Sequence, residues 1–154
     1  GAELDPHEPL LLFGSCNDWG RDAEEARRRF SFSKVAFSPA GVESHLWVEL
    51  DSSRLSFQVV SAKACWDWRL YPTGLGDESK KLLCGRRQRA SLALGREDRL
   101  AHGRNFRVHE APPGVLDIRV LLGGPEGICV WYTRVRHVRQ LLPAPPPARR
   151  AEAA

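Results

Sequence analysis

Methionine is missing from all 154 residues, and lysine is scarce, at 4 against 19 arginines. The chain therefore starts without an initiator residue, and it is expected to begin after a processing step or at a boundary. Gly1-Ala2-Glu3 does not read as a signal or transit segment; one removed earlier would leave no trace. No apolar run approaches the ~18–20 residues that a membrane helix needs, which excludes a bilayer span of that kind. The 4 cysteines (Cys16, Cys65, Cys84, Cys129) are far apart and form no C-x-x-C pair. That spacing excludes a zinc ribbon and favours reduced, buried thiols over a disulfide framework.

The vocabulary of catalysis is missing too. There is no G-x-S-x-G, P-loop, dinucleotide glycine fingerprint or H-E-x-x-H. The 5 histidines fall on different expected elements, so no metal site is expected from them. Glu97-Asp98 with His102 reads as a solvated loop rather than an acid/base pair. Arg87-Gln88-Arg89-Ala90-Ser91 resembles a basophilic kinase site, a pattern that chance often produces. The expectation is a non-enzymatic chain with no cofactor and no metal.

What is present suits a β domain. Hydrophobic residues make up 42%, with 5 Trp, 6 Phe and 2 Tyr, enough for a sizeable core and against wholesale disorder. The 13 Gly and 11 Pro argue against a helical bundle. Charge is segregated: residues 1–26 carry a net −6, leaving +10 in the rest. Such a dipolar chain suits charged partners as well as solubility. The arginine bias is also what GC-rich coding would produce.

Residues 1–8 read as an acidic arm. Leu10–Phe13 is a buried strand closed by Gly14-Ser15, and Asn17-Asp18-Trp19-Gly20 is turn chemistry. Residues 22–29 form the one helical candidate, with Asp22 as cap and Glu24–Arg28 and Glu25–Arg29 as supporting pairs. Alternating segments follow at 32–38, 45–50, 55–60, 65–71, 106–109, 115–122 and 128–138. Leu12, Leu46, Val48, Phe57, Val59, Leu116, Ile118 and Val130 are expected inward. Residues 73–104 read as a long inserted connection in which Lys81–Cys84 and Ala90–Leu94 look strand-like. About eight short strands at this spacing predict an antiparallel β-sandwich over 9–138. Trp66, Trp68 and Leu70 alternate onto one face, where at least one indole is expected in the core. Trp47 and Trp131 are expected packed.

Three stretches together resemble starch-binding and glycogen-binding modules, which are early-set immunoglobulin-like sandwiches. They are Leu11-Leu12-Phe13-Gly14-Ser15-Cys16-Asn17-Asp18-Trp19, then Phe57-Gln58-Val59-Val60 with Trp66-Asp67-Trp68-Arg69, and Gly103-Arg104-Asn105-Phe106. The Trp-Asp-Trp-Arg-Leu-Tyr-Pro run with the later His-Gly-Arg-Asn-Phe is also similar to domains repeated in dinoflagellate proteins. The resemblance covers roughly residues 9–72 and 102–135. It implies a sugar platform at Trp19, Gln58, Trp66 or Trp68, and Asn105. Two departures stand out: Gln58 replaces the family's Lys, and residues 73–101 intervene before Asn105, where they could displace or cover the platform.

Residues 139–154 are rich in Pro, Ala and Arg. They favour extended polyproline conformation and cannot bury a core. Arg139, Pro145, Pro146, Pro147, Arg149 and Arg150 are expected to dock on a partner, a solubilising tail being the plain alternative. The leading expectation is an accessory subunit on a large assembly of other protein subunits. With the dinoflagellate-like motifs, the expected host is a plastid photosynthetic complex such as a photosystem, with organellar localisation. The alternative is a starch- or glucan-binding module. A further alternative, an organellar ribosomal or RNA-associated protein, draws on the Arg-rich stretches 86–107 and 134–150.

Overall fold

The structure is a computed structural model that describes residues 4–74, 76–95 and 98–136. The chain is an all-β antiparallel sandwich whose two sheets share a strand. The first sheet is built from β1 (Leu10–Gly14), β4 (Arg54–Ser61), β5 (Cys65–Pro72) and β7 (Phe106–His109). The second is built from β2 (Ser33–Ser38), β3 (Gly41–Glu49), β8 (Val115–Leu122) and β9 (Cys129–Val135). The shared strand is β6 (Gln88–Leu94). Gln88 and Arg89 pair with Val130 and Cys129 of β9, whereas Ala90 to Leu94 pair with Pro72 to Trp68 of β5. The chain changes sheets between Arg89 and Ala90, so the connection expected over 73–104 contains the strand that joins the sandwich. It also carries two single-turn helices, α2 (Asp77–Lys80) and α3 (Asp98–Ala101).

Period-2 alternation accounts for the core. Leu10 and Leu12 of β1, Leu55, Phe57 and Val59 of β4, and Phe106 and Val108 of β7 face Leu46 and Val48 of β3 and Leu116, Ile118 and Val120 of β8 in one buried cluster. Each such side chain contributes about 1.5–3 kcal/mol when fully buried. All the residues expected inward belong to this cluster. Trp47 and Trp131 are also buried, on the opposite face of the second sheet, and the Arg87 guanidinium lies 4.5 Å above the Trp131 ring.

Between the turn after β1 and β2 lies α1 (Ala23–Arg29), with the Asp22 carboxylate accepting from the Glu25 amide at 3.1 Å. Glu25 pairs with Arg29 as expected, but Glu24 pairs with Arg27 rather than Arg28, at 3.0 Å. The reason is tertiary: Arg27 Nε donates to the Ala62 carbonyl at 3.1 Å, which holds this guanidinium beside Glu24.

All four cysteines are free thiols. Cys16 and Cys129 are buried as expected, but Cys65 is half-buried and Cys84 exposed. Burial pushes the Cys16 thiol up to about 12.

Candidate functional site

The first sheet turns one face to the core and the other outward, and the outward face carries Leu11 and Phe13 of β1, Val60 of β4 and Ala26 of α1. Trp66 joins this outer set because β5 breaks register. Leu70 and Arg69 pair with Val59 and Val60, but the next partner, Ser61, pairs with Cys65. Residues 66–68 are therefore spare on β5, a bulge opened by Cys65 at φ +50°. The consequence corrects the expected alternation. Trp68 stays inward in the core with Leu70, while Trp66 swings outward beside Arg69. Trp66 meets the Phe13 ring edge-on at 5.1 Å between centroids, and the Arg69 guanidinium lies 5.2 Å from the Trp66 ring centre.

Trp19 is presented by a 3-10 turn, Ser15–Gly20. Gly14 lies so close to β4 that a Cβ would strike the Ser56 carbonyl oxygen. Ser15 Oγ accepts from the Ser56 amide at 3.1 Å. The Asn17 carboxamide accepts from the Gly14 amide at 2.9 Å and donates to the Leu12 carbonyl at 2.7 Å, tying the turn to β1. Asp18, Trp19 and Gly20 then take left-handed backbone in succession, at φ +52°, +56° and +72°. This is a strained arrangement for an indole-bearing residue. Gly20 sits directly against the Phe13 ring, where no Cβ fits. One ring, Phe13, thus supports both the Trp19 turn and Trp66.

The third contributor is the loop after α3. Gln58 is 1% exposed, and its Nε2 donates to the carbonyls of Ala101 at 2.8 Å and Arg104 at 3.0 Å. These two acceptors fix the orientation of the carboxamide. Its Oε1 has no hydrogen-bond partner among the described residues. Arg104 reaches the carbonyls of Thr73 and Gly74 and lies over the Tyr71 ring at 5.2 Å, holding the loop from its other side. Gly103, at φ +72°, permits the turn.

The result is an open groove of about 460 Å³ lined by Trp19, Gln58, Trp66, Arg69, His102, Gly103 and Asn105. Trp19, Trp66 and Asn105 are half-buried and His102 is exposed. Of the residues singled out in the sequence, Trp19, Gln58, Trp66 and Asn105 come together here. Trp68 does not; it is 8% exposed in the core. Gln58 spends its donors on the loop that carries Asn105, bonding the Ala101 and Arg104 carbonyls. Among the described residues, none of the segment inserted at 73–101 lines the groove, and both indoles stay half-buried rather than covered. Arg69 and His102 are not among the platform residues that the resemblance implies, yet both line the groove. Strict alternation sets Arg69 on the face away from Trp66, and only the bulge reunites them.

A second cavity of about 440 Å³ lies beside the Trp19 turn and α1. Its lining includes Asp18, Arg21, Asp22 and Glu25, with Phe30 its only ring among the described residues. It offers no indole to a sugar face. Among the described residues no group of three or more His, Cys, Asp or Glu is placed to hold a metal ion, and no helix is long and apolar enough to cross a membrane. Arg139, Pro145, Pro146, Pro147, Arg149 and Arg150, the expected docking residues, lie outside the described residues, as do Glu97 and His137.

No protein-family model matches the chain. No curated protein matches it either. Among solved structures it is similar to the ligand-induced structure of the starch-binding domain AmyP-SBD, with 15% identity over 84% of this chain and 74% of that one, at a TM-score of 0.48.

Proposed function

We propose that the chain is a non-catalytic carbohydrate-binding module that holds an α-glucan in the groove between Trp19, Trp66 and Asn105. A sugar ring has an apolar C–H face and a hydroxyl rim. The first stacks on indole, and the second needs amides and cations placed around it. One observation carries the reading: Trp19, Trp66 and Asn105, from three distant segments, line one accessible groove. The resemblance of these same residues to the platform of starch-binding modules names α-glucan as the ligand. The docking-subunit reading draws on the segregation of charge along the chain and on residues 139–154, which lie outside the described residues.

Affinity electrophoresis in gels containing soluble starch tests the proposal. The chain is expected to be retarded, and Trp66→Ala and Asn105→Ala are expected to migrate as in starch-free gels while keeping the far-ultraviolet dichroism of the parent. Unretarded migration of the parent chain overturns it.

A further inference from the structure

Among the described residues, three strands have a single strand neighbour: β1, β7 and β2. The chain itself covers two of them. Along β1, the Leu12 amide donates to the Phe30 carbonyl at 3.0 Å and the Phe32 amide to the Leu10 carbonyl at 2.9 Å. Along β7, the Leu82 amide donates to the Arg107 carbonyl at 2.8 Å. β2 has β3 on one side, and no backbone hydrogen bond among the described residues reaches its other side. Such an edge offers N–H and C=O groups to another strand. Of the three large hydrophobic side chains exposed among the described residues, two stand here, Val35 at 41% and Phe37 at 63%. Guarding charge is weak. Lys34, the one charged residue of β2, turns its ammonium to the Glu8 carbonyl at 2.9 Å, and His7 stacks on Phe37 at 5.6 Å but leaves it exposed. A bulge at Val35, which has no partner on β3, is the remaining protection.

The pattern from Lys34 to Ser38, polar-apolar-Ala-apolar-polar, reads the same in both directions. Antiparallel pairing of two such strands about Ala36 sets Val35 opposite Phe37 and Lys34 opposite Ser38. Apolar meets apolar, and the two lysines do not face each other. We infer that β2 is a self-association edge, to which a second copy of this chain adds its own β2 in a two-fold dimer. Symmetry supplies the match, since each copy brings the same strand in reverse. A strand of 6 residues is small beside the roughly 20–30 residues per partner of a stable interface, so the dimer is weak and exchanging. No residue of β2 lines the groove between Trp19 and Trp66, so pairing leaves both grooves open.

Sedimentation velocity from about 5 to about 500 μM tests it, with a dimer expected to form with a midpoint of about 100 μM. Amide exchange over 35–38 is expected to slow across the same range. A double variant, Val35→Lys with Phe37→Lys, sets lysine opposite lysine and is expected to associate at least about tenfold more weakly. Both positions are exposed, so the variant is expected to keep the parent's urea unfolding transition. The acidic counterpart, Val35→Glu with Phe37→Glu, is expected to behave alike. An equal mixture of the two double variants sets lysine opposite glutamate and is expected to dimerise again. A parent chain that stays monomeric at about 500 μM overturns the inference. Double variants that associate as the parent does overturn it too, by placing the contact on another surface. A mixture that stays monomeric overturns self-pairing and leaves the edge to a strand of another protein.

Discussion

Gln58 Nε2 donates to the Ala101 carbonyl at 2.8 Å across 43 residues of chain, and through this bond the centre of β4 sets the position of the loop that carries Asn105. The second bond, to Arg104, closes the same loop one residue before Asn105. Gln58→Leu keeps the volume and removes both donors, leaving two carbonyls to find water. The expected cost is about 1–3 kcal/mol in urea denaturation. Amide exchange over 101–105 is expected to quicken and glucan retardation to disappear, with Trp19 and Trp66 untouched. Unaltered exchange in that loop would show that Gln58 does not position it.

The left-handed backbone of Trp19 sets stability against binding. A bulky residue at φ +56° costs about 1–2 kcal/mol that glycine does not incur. Trp19 is only half-buried, so little packing is lost with it. Trp19→Gly is expected to leave stability unchanged or raise it while abolishing retardation in starch. Trp66→Ala loses the Phe13 contact and uncovers Arg69, and is expected to cost about 2 kcal/mol. A Trp19→Gly variant less stable than Trp66→Ala would show that the turn is not strained.

The sandwich was legible because strand alternation is local. Leu46 and Val48, or Leu116 and Ile118, face inward through a period that depends on nothing far away in the chain. The site was legible only in part, because it depends on breaks in that period. The bulge at residues 66–68 separates Trp66 from Trp68 and brings Arg69 to Trp66, and its cause is the pairing of Ser61 with Cys65 across the turn. Gln58 shows the same limit. Its residue type suggests a sugar contact, yet its hydrogen bonds are decided by where a loop 43 positions later returns. Gly14, Asn17 and Trp19 read more easily, since a turn that closes on its own strand is again local.

Glu110 makes stability depend on acid. Its carboxylate accepts from Tyr132 Oη at 2.6 Å and from Arg134 at 2.9 Å. The Tyr132 hydroxyl, then the Arg134 guanidinium, hold it below the ordinary value of 4.5. A carboxylate depressed in the folded state contributes stability that is fully present above its unfolded value. That contribution fades as pH falls below about 4.5 through the folded value. Tyr132→Phe removes the leading cause. Its thermal midpoint is expected to fall less steeply than the parent's on acidification below that pH, while lying lower at neutral pH. Parallel acid limbs for the two proteins would remove Glu110 from the account.

The register of the first sheet has its own test at Val59. This residue is 0% exposed, pairs with Leu12 on one side and Leu70 on the other, and projects into the core between the sheets. An aspartate there places a carboxylate among aliphatic side chains with no partner. The effective penalty for an unpaired buried ion is several kcal/mol, comparable to the ~5–15 kcal/mol that holds a domain together. Val59→Asp is therefore expected to abolish the cooperative unfolding transition at neutral pH. Protonation removes the charge, so part of the transition is expected to return in mild acid. Ser56→Asp, three positions earlier, provides the control. Ser56 is half-buried on the face away from the core, and its variant is expected to unfold cooperatively. A cooperative Val59→Asp protein at neutral pH would mean that β4 presents its other face to the second sheet. Gln58 would then turn inward, and the groove it organises could not form.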